Sequence, residues 1–283
     1  MGLGKDIASI TKISQTAVLV FTAFIGYMTA RAPFLPLTLL LVLISEFAAI
    51  SGTTMINMYH DRDIDQLMSR TRTRPVPSGR VSPMAALAWG YGLFGLGLAV
   101  SLLVNSLFAI TIFLGYAFDI WVYTLFLKRR SPWNIVFGGV AGAMPILGGW
   151  IARAGSVGIG GLLMFSLVMF WIPLHTWVIA LVHKEDYSRI GVPMVSLRSS
   201  ARRVFLLLFF ALAAFFFATV EMAFIGITGI LTPAISGTMI AVLIYMLYRA
   251  IIQGNASLLR ASQMLAHVFL AVTLVSILVF AVI

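Results

Sequence analysis

The sequence predicts an all-α membrane protein, a single-domain polytopic bundle of nine transmembrane helices over residues 1–283. Three observations predict it. Hydrophobic residues make up 61% of the chain and charged residues 10%, against about 25% charged in a soluble domain, so a water-facing surface could not be covered. Apolar stretches of about 20 residues, enough to span a bilayer, recur along the whole chain between charged or Gly/Pro punctuation. Basic residues crowd into alternate inter-span segments. Cysteine is absent, which excludes disulfides and thiolate metal sites. A formal net charge of +10 would suggest nucleic acid in a soluble protein. Here membrane topology accounts for it, and no nucleic-acid partner is expected.

The elements follow in order. Met1 to Lys12 is short, polar and basic. Span one, 13–30, is long for a signal-peptide core and no clear A-x-A site follows it, so it is read as a retained helix. Span two, 34–59, begins beyond Arg31 and runs into an acidic stretch. Spans three and four, 84–104 and 106–127, end at Lys128-Arg129-Arg130. Span five, 134–152, opens on Asn134 and carries Gly138, Gly139, Gly142, Gly148 and Gly149, small residues suited to close helix packing. Span six, 159–182, leads into a second charged loop, and spans seven to nine cover 203–225, 232–252 and 262–283. With nine spans, all but Arg31 and Arg153 of the 19 Lys and Arg fall on one side. The positive-inside rule makes that side cytoplasmic, with the N-terminus inside and the C-terminus outside. The longest loops on that side follow spans two and six. Each carries acidic and basic residues and a proline, a hint that spans 1–4 are duplicated in spans 5–8.

The first of these loops carries the chemistry. Asn57, Asp61 and Asp65 are spaced i, i+4, i+8, which places them on one helix face. Carboxylates stacked this way repel each other unless a cation lies between them, and oxygen ligands suit Mg²⁺ or Mn²⁺. Asp63 points off this face, toward Arg62 or a neighbouring arginine. Arg70, Arg72, Arg74 and Arg80 follow, with Pro75 and Pro77, as a stiff cationic loop. Guanidinium groups bind phosphate oxygens bidentately, so the pair of features fits a metal-diphosphate site. A solvated loop whose carboxylates pair with Arg70, Arg72 and Arg74 fits the same spacing, and both readings stand at this point. Lys128 and Arg129 lie on the same side and could close over the same anion. In the second loop, His183-Lys184-Glu185-Asp186-Tyr187 could add carboxylate ligands.

Ionisable groups within spans are costly and are functional candidates. Glu46 lies in span two and Asp119 in span four; Glu221 sits near a span end, within reach of water. Each of the first two could equally be a hydrogen-bonded structural group. His175 lies in span six among Phe170, Trp171, Pro173 and Trp177, two turns from the second loop. It could ligate a metal or orient a large planar substrate. His267 has no such company in sequence.

Three stretches, in order, carry a family resemblance. NMYHDRDIDQLMSRTRTRPVPSGRVSP, Asn57 to Pro83, resembles the first signature of the intramembrane UbiA-type prenyltransferases, and more narrowly of the branch that farnesylates protohaem IX. LKRRSPWNIVFGGVAGAMP, Leu127 to Pro145, is similar to its central motif, and FWIPLHTWVIALVHKEDYSRIGVPM, Phe170 to Met194, to its second signature. There are departures. Where many members carry D-x-x-x-D in the second loop, this chain has His183 and Tyr187. Leu174-His175-Thr176-Trp177 stands where that branch has P-H-F-W.

The resemblance implies the UbiA-like prenyltransferase fold and a reaction. Mg²⁺ (or Mn²⁺) would be held by Asn57, Asp61 and Asp65, with Asp186 completing the catalytic set. Farnesyl diphosphate and haem B would be the substrates, contacted by Arg70, Arg74, Lys128, Arg129, Lys184, Glu185, Tyr123 and His175. Diphosphate departure would give an allylic cation, a haem vinyl group would capture it, and water would complete haem O. Membrane lipid would surround the chain, and haem A synthase or a terminal oxidase assembly would be the partner implied. Two other classes stay open: a sister prenyltransferase using an aromatic, quinone-precursor or lipid acceptor, and an ion or solute transporter, which predicts a polar path across the bilayer.

Overall fold

The structure, a computed structural model, describes residues 3–283, with side chains from Asp6 onward. Met1, Gly2 and the side chain of Lys5, counted above on the basic side, lie outside the described residues. Helices α1 (Leu3–Ile10), α2 (Ile13–Thr29), α3 (Pro36–His60), α4 (Arg62–Leu67), α5 (Pro83–Leu102) and α6 (Ser106–Leu127) form the first part of the chain. They are followed by α7 (Asn134–Ala154), α8 (Gly158–Val182), α9 (Lys184–Ile190), α10 (Val195–Arg198), α11 (Ala201–Phe224), α12 (Leu231–Ile252) and α13 (Ala256–Val282). Among the described residues there is no strand.

Eight of these helices are long and apolar enough to cross a membrane, and α2, the first expected span, is a shorter apolar helix of 17 residues. At 1.5 Å per residue α2 is about 25 Å long, a little under the bilayer core of about 30 Å. The chain is a multi-pass membrane protein. Large apolar side chains such as Trp89, Phe210 and Phe217 are more than half exposed on its outer surface, as a lipid solvent allows.

Local chemistry sets the helix starts. Ser82, Asn105, Ser200 and Asn255 cap α5, α6, α11 and α13, each accepting a backbone N–H with its side-chain oxygen. The Asn255 cap starts α13 at Ala256 rather than at 262, so Arg260 falls within the helix. A long basic side chain near a helix end can keep its charged head at the interface. The N-terminal segment is also more than a polar lead: α1 buries Ile10 against Met55, Met58, Val76 and Ala86.

Small residues decide which helices touch most closely. A Cβ on Gly26 would meet the Ile146 carbonyl, and one on Gly149 the Ala23 carbonyl, so α2 and α7 cross nearly backbone to backbone. Gly52, Gly90 and Gly97 do the same for α3 and α5, where the Ser45 hydroxyl also donates to the Gly97 carbonyl at 2.7 Å. The two ends of the bundle differ. At one end Arg153 donates to the carbonyls of Tyr27, Met28 and Ala32 at 2.9–3.1 Å, and Arg31 to that of Gly226. These two arginines satisfy carbonyls left open where helices finish. At the other end the loops after α3 and α8 each begin with a short helix, and those helices, α4 and α9, pack on each other.

Candidate functional site

Asn57, Asp61 and Asp65 stay in register although the helix carrying them breaks. Asp61 leaves helical geometry (φ −93, ψ 0), which ends α3 and starts α4. Its N–H still donates to the Asn57 carbonyl at 2.9 Å, and the Asp65 N–H to the Asp61 carbonyl at 2.8 Å. All three side chains therefore line one pocket of about 300 Å³ at the mouth of the bundle, with Lys12, Arg70, Arg74, Tyr123, Lys128, His175 and Tyr187. Asp61 and Asp65 are buried, at 3% and 5% exposure.

Buried carboxylates need partners, and these come from two segments, the loop after α4 and the residues that follow α6. Lys128 Nζ meets Asp61 Oδ2 at 2.5 Å, and Arg74 Nη1 meets Asp65 Oδ2 at 2.8 Å. The exposed Asp63 takes both Nη atoms of Arg129 at 2.7 Å. That hydrogen-bonded pairing holds the Asp63 carboxyl down at about 2 and pushes the Arg129 guanidinium up. The pairing half of the solvated-loop reading thus holds for Arg74, but the carboxylates are not solvated, and the strongest partner of Asp61 comes from the far end of α6.

The donor set fits a hard divalent cation. Asp61 Oδ1 is buried with no hydrogen-bond partner among the described residues. The Asn57 amide nitrogen is engaged, donating to Thr124 Oγ1 at 2.8 Å, which leaves its amide oxygen as an acceptor. Among the described residues no three His, Asp or Glu side chains converge. A metal here would rest on two carboxylates, an amide and the phosphates of its substrate, a mixture that suits Mg²⁺.

The second half of α6 shapes the pocket's other wall, and the sequence reading missed how. From Ala117 to Leu127 the helix is a π-helix, and the Lys128 N–H continues the pattern by donating to the Tyr123 carbonyl at 2.7 Å. Bonds of the i→i+5 type give about 4.4 residues per turn. Asp119, Tyr123 and Lys128, at steps of four and five, then share one face. In an α-helix Lys128 would lie opposite Asp119, since 3.6 residues per turn rotates it about half a turn away. Such π segments are rare and frequent at functional sites. Gly138 of α7 makes room for the Tyr123 ring, and Lys128 sits 5.5 Å from that ring's centre.

Other residues singled out from the sequence fall in different places. Arg70 lines the pocket. Arg129 pairs with Asp63 outside it. Asp186 accepts from Ser69 Oγ at 2.5 Å and from Ser69 N at 3.4 Å, which lowers its pKa and ties the second loop to the first. Lys184 and Glu185 are exposed, and Lys184 lines a separate pocket beside α10. His175 lines the main pocket, stacked on Trp171 with ring centres 4.5 Å apart, and its buried Nδ1 has no partner among the described residues. His267, set aside in the sequence reading, lies edge-on to His175 at 4.4 Å. The packing of α13 on α8 brings the two together, and sequence proximity carried no sign of it.

Lys12 and Tyr187 are further residues the sequence did not single out for the site. Lys12 looked like ordinary positive-inside charge. It lies between α1 and α2 with a left-handed backbone (φ 45, ψ 52), uncommon outside glycine, and this bend sets it on the pocket wall. Burial, then the nearby Arg74 guanidinium, push its ammonium down to about 8.

Residues 19–271 match the model of the UbiA prenyltransferase family. Protoheme IX farnesyltransferase of Archaeoglobus fulgidus is 40% identical over 87% of this chain and 86% of its own length. The protein of the same name from Thermofilum pendens is 40% identical over 82% and 86%. Among solved structures, a digeranylgeranylglyceryl phosphate synthase superposes with a TM-score of 0.82 at 18% identity, covering 100% of this chain and 99% of that one. A UbiA homologue from Archaeoglobus fulgidus bound to GPP and Mg²⁺ superposes with a TM-score of 0.69 at 16% identity, covering 96% and 99%. At these identities the structures speak for the fold.

Proposed function

The chain belongs to the UbiA prenyltransferase family, and from that premise we propose that it transfers a farnesyl group from farnesyl diphosphate to a vinyl group of haem B, giving haem O. The observation that carries the reading is the pocket itself. Two buried carboxylates and an amide face four cations, Lys12, Arg70, Arg74 and Lys128, in one pocket at the mouth of the bundle. Relatives named for haem farnesylation, 40% identical over most of the chain, direct the acceptor toward haem.

The residues divide the work. Lys12, Arg70, Arg74 and Lys128 bind the diphosphate. They stabilise the electron pair that stays on its oxygen as the allylic C–O bond breaks, an effect strongest where water is excluded. When bound, Mg²⁺ held by Asn57, Asp61 and Asp65 supplies Lewis-acid neutralisation of the leaving diphosphate. The vinyl π electrons form the new bond to farnesyl C1, which leaves a cation beside the porphyrin ring for water to capture. His175, which lines the pocket with Trp171 stacked on it, offers a contact for the planar haem. Asp186 and Ser69 hold the two loops together over the site. The basic end of the bundle faces the cytoplasm by the positive-inside rule.

Purified protein incubated with haem B, farnesyl diphosphate and Mg²⁺ tests the reading. Mass spectrometry should find haem carrying a hydroxyethylfarnesyl group. Turnover on an aromatic or lipid acceptor with none on haem would reject the haem assignment and keep the prenyl transfer.

A further inference from the structure

A second chamber adjoins the diphosphate pocket, and its mostly apolar wall, with Leu19, Ile50, Ile112 and Met144, carries a strip of polar side chains. Its volume is about 230 Å³, and it shares Thr54 and Asp119 with the mouth pocket. Deeper in, Glu46 and Thr111 line it together with Thr53. Glu46 is 2% exposed, and neither its carboxyl nor that of Asp119 receives a hydrogen bond from a described residue. The threonines give their protons away, Thr53 to the Ala49 carbonyl at 2.8 Å and Thr111 to the Phe108 carbonyl at 2.7 Å. Each then presents lone pairs to the chamber.

That strip therefore has hydrogen-bonding capacity that no described side chain fills. Leaving an ionisable group unpaired at membrane depth is costly, and a hydrocarbon chain offers it no hydrogen bond. The guest that fits is a small hydrogen-bond donor, and water is the donor the reaction consumes. Asp119 stands where the chamber meets the diphosphate pocket, on the π-helical face that also carries Lys128. With Lys12 and Lys128 lining the same pocket, a carboxylate there has compensating charge.

We propose that this chamber supplies the water that hydrates the vinyl-derived cation, and that Asp119 accepts that water's proton. The proposal rests on the haem reading above. An oxygen lone pair forms the C–O bond to the cationic carbon. One O–H bond then breaks, its electron pair stays on oxygen, and the proton goes to the Asp119 carboxylate, leaving the hydroxyl of the product. Where no acceptor is placed for the water, the cation instead sheds a proton from the neighbouring carbon and yields an alkene lighter by one water.

The test measures the ratio of hydrated to dehydrated farnesyl haem by mass spectrometry, together with diphosphate release, in the full-length protein. Asp119→Asn should lower the ratio about 100-fold or more, in keeping with the usual worth of a general base, and Asp119→Glu should restore much of it. Glu46→Leu, which removes the chamber's carboxyl away from the diphosphate, should lower the same ratio and serves if the Asn variant does not fold. An unchanged ratio in both variants overturns the proposal. So does an Asp119→Asn protein that folds and binds farnesyl diphosphate but releases no diphosphate, since Asp119 would then act in ionisation. Wild-type protein that makes no farnesyl haem at all marks failure of the haem reading, and this inference falls with it.

Discussion

Single residues decide whether the pocket can hold and ionise a diphosphate. Asp61 is the most constrained: Oδ2 is on Lys128 and Oδ1 is buried without a partner. Asp61→Asn keeps the volume and removes the charge, so diphosphate release at saturating Mg²⁺ should fall about 100-fold or more, the scale seen when one electrostatic stabiliser is lost. Full activity in that variant would reject the metal-diphosphate site. Lys12 sets a pH dependence. Its folded pKa is depressed to about 8, first by burial and then by Arg74, while Asp119, Asp65 and Asp61 oppose the shift. It is charged below that value and loses its proton as pH rises through it, while Arg74 stays charged. For farnesyl diphosphate, kcat/KM should therefore fall about tenfold as pH rises through about 8, the worth of one charge-assisted contact. Lys12→Arg should flatten that limb. An unchanged limb in the Arg variant would assign the titration elsewhere.

At the scale of elements, the bundle depends on glycine at helix crossings and on one irregular helix. Gly149→Leu would drive a side chain into the Ala23 backbone, where no rotamer change relieves it. It should cost more than the usual overpacking penalty of about 1–3 kcal/mol and lower the thermal midpoint in detergent. Gly92→Ala, where a Cβ meets nothing within 4 Å, should not, and equal midpoints for the two variants would count against the close α2–α7 crossing. The spans themselves were legible, because charge, Gly/Pro and capping residues mark their ends and lipid demands their length. The π segment of α6 was not. Its apolar run reads equally well as α-helix, and only the backbone hydrogen bonds show that Lys128 turns to the side of Asp119 and Tyr123.

At the scale of the whole molecule, charge separates the two ends. Lys12, Lys128 and the loops after α3 and α8 lie at one end, and Arg31 and Arg153 cap carbonyls at the other. The chain has no cysteine, so single engineered thiols report orientation cleanly. A membrane-impermeant maleimide applied to intact cells should label Ser156→Cys and leave Ser78→Cys unlabelled until the membrane is opened. Both positions are exposed. The opposite pattern would place the active site outside.

The amino-acid sequence by itself determined the solvent, the spans, the side on which the basic residues gather and the ladder of Asn57, Asp61 and Asp65. These are local properties: hydropathy, charge and a spacing of four survive any arrangement of the helices. Tertiary structure alone decided who meets that ladder. Lys128 instead of Arg70 or Arg72 on Asp61, Lys12 on the pocket wall, His267 beside His175, and the chamber running from Asp119 to Glu46 all come from residues far apart in sequence. Helix packing sets such meetings. It depends on which small residues let two backbones approach and on how each helix is wound, and neither leaves a periodic mark in the chain.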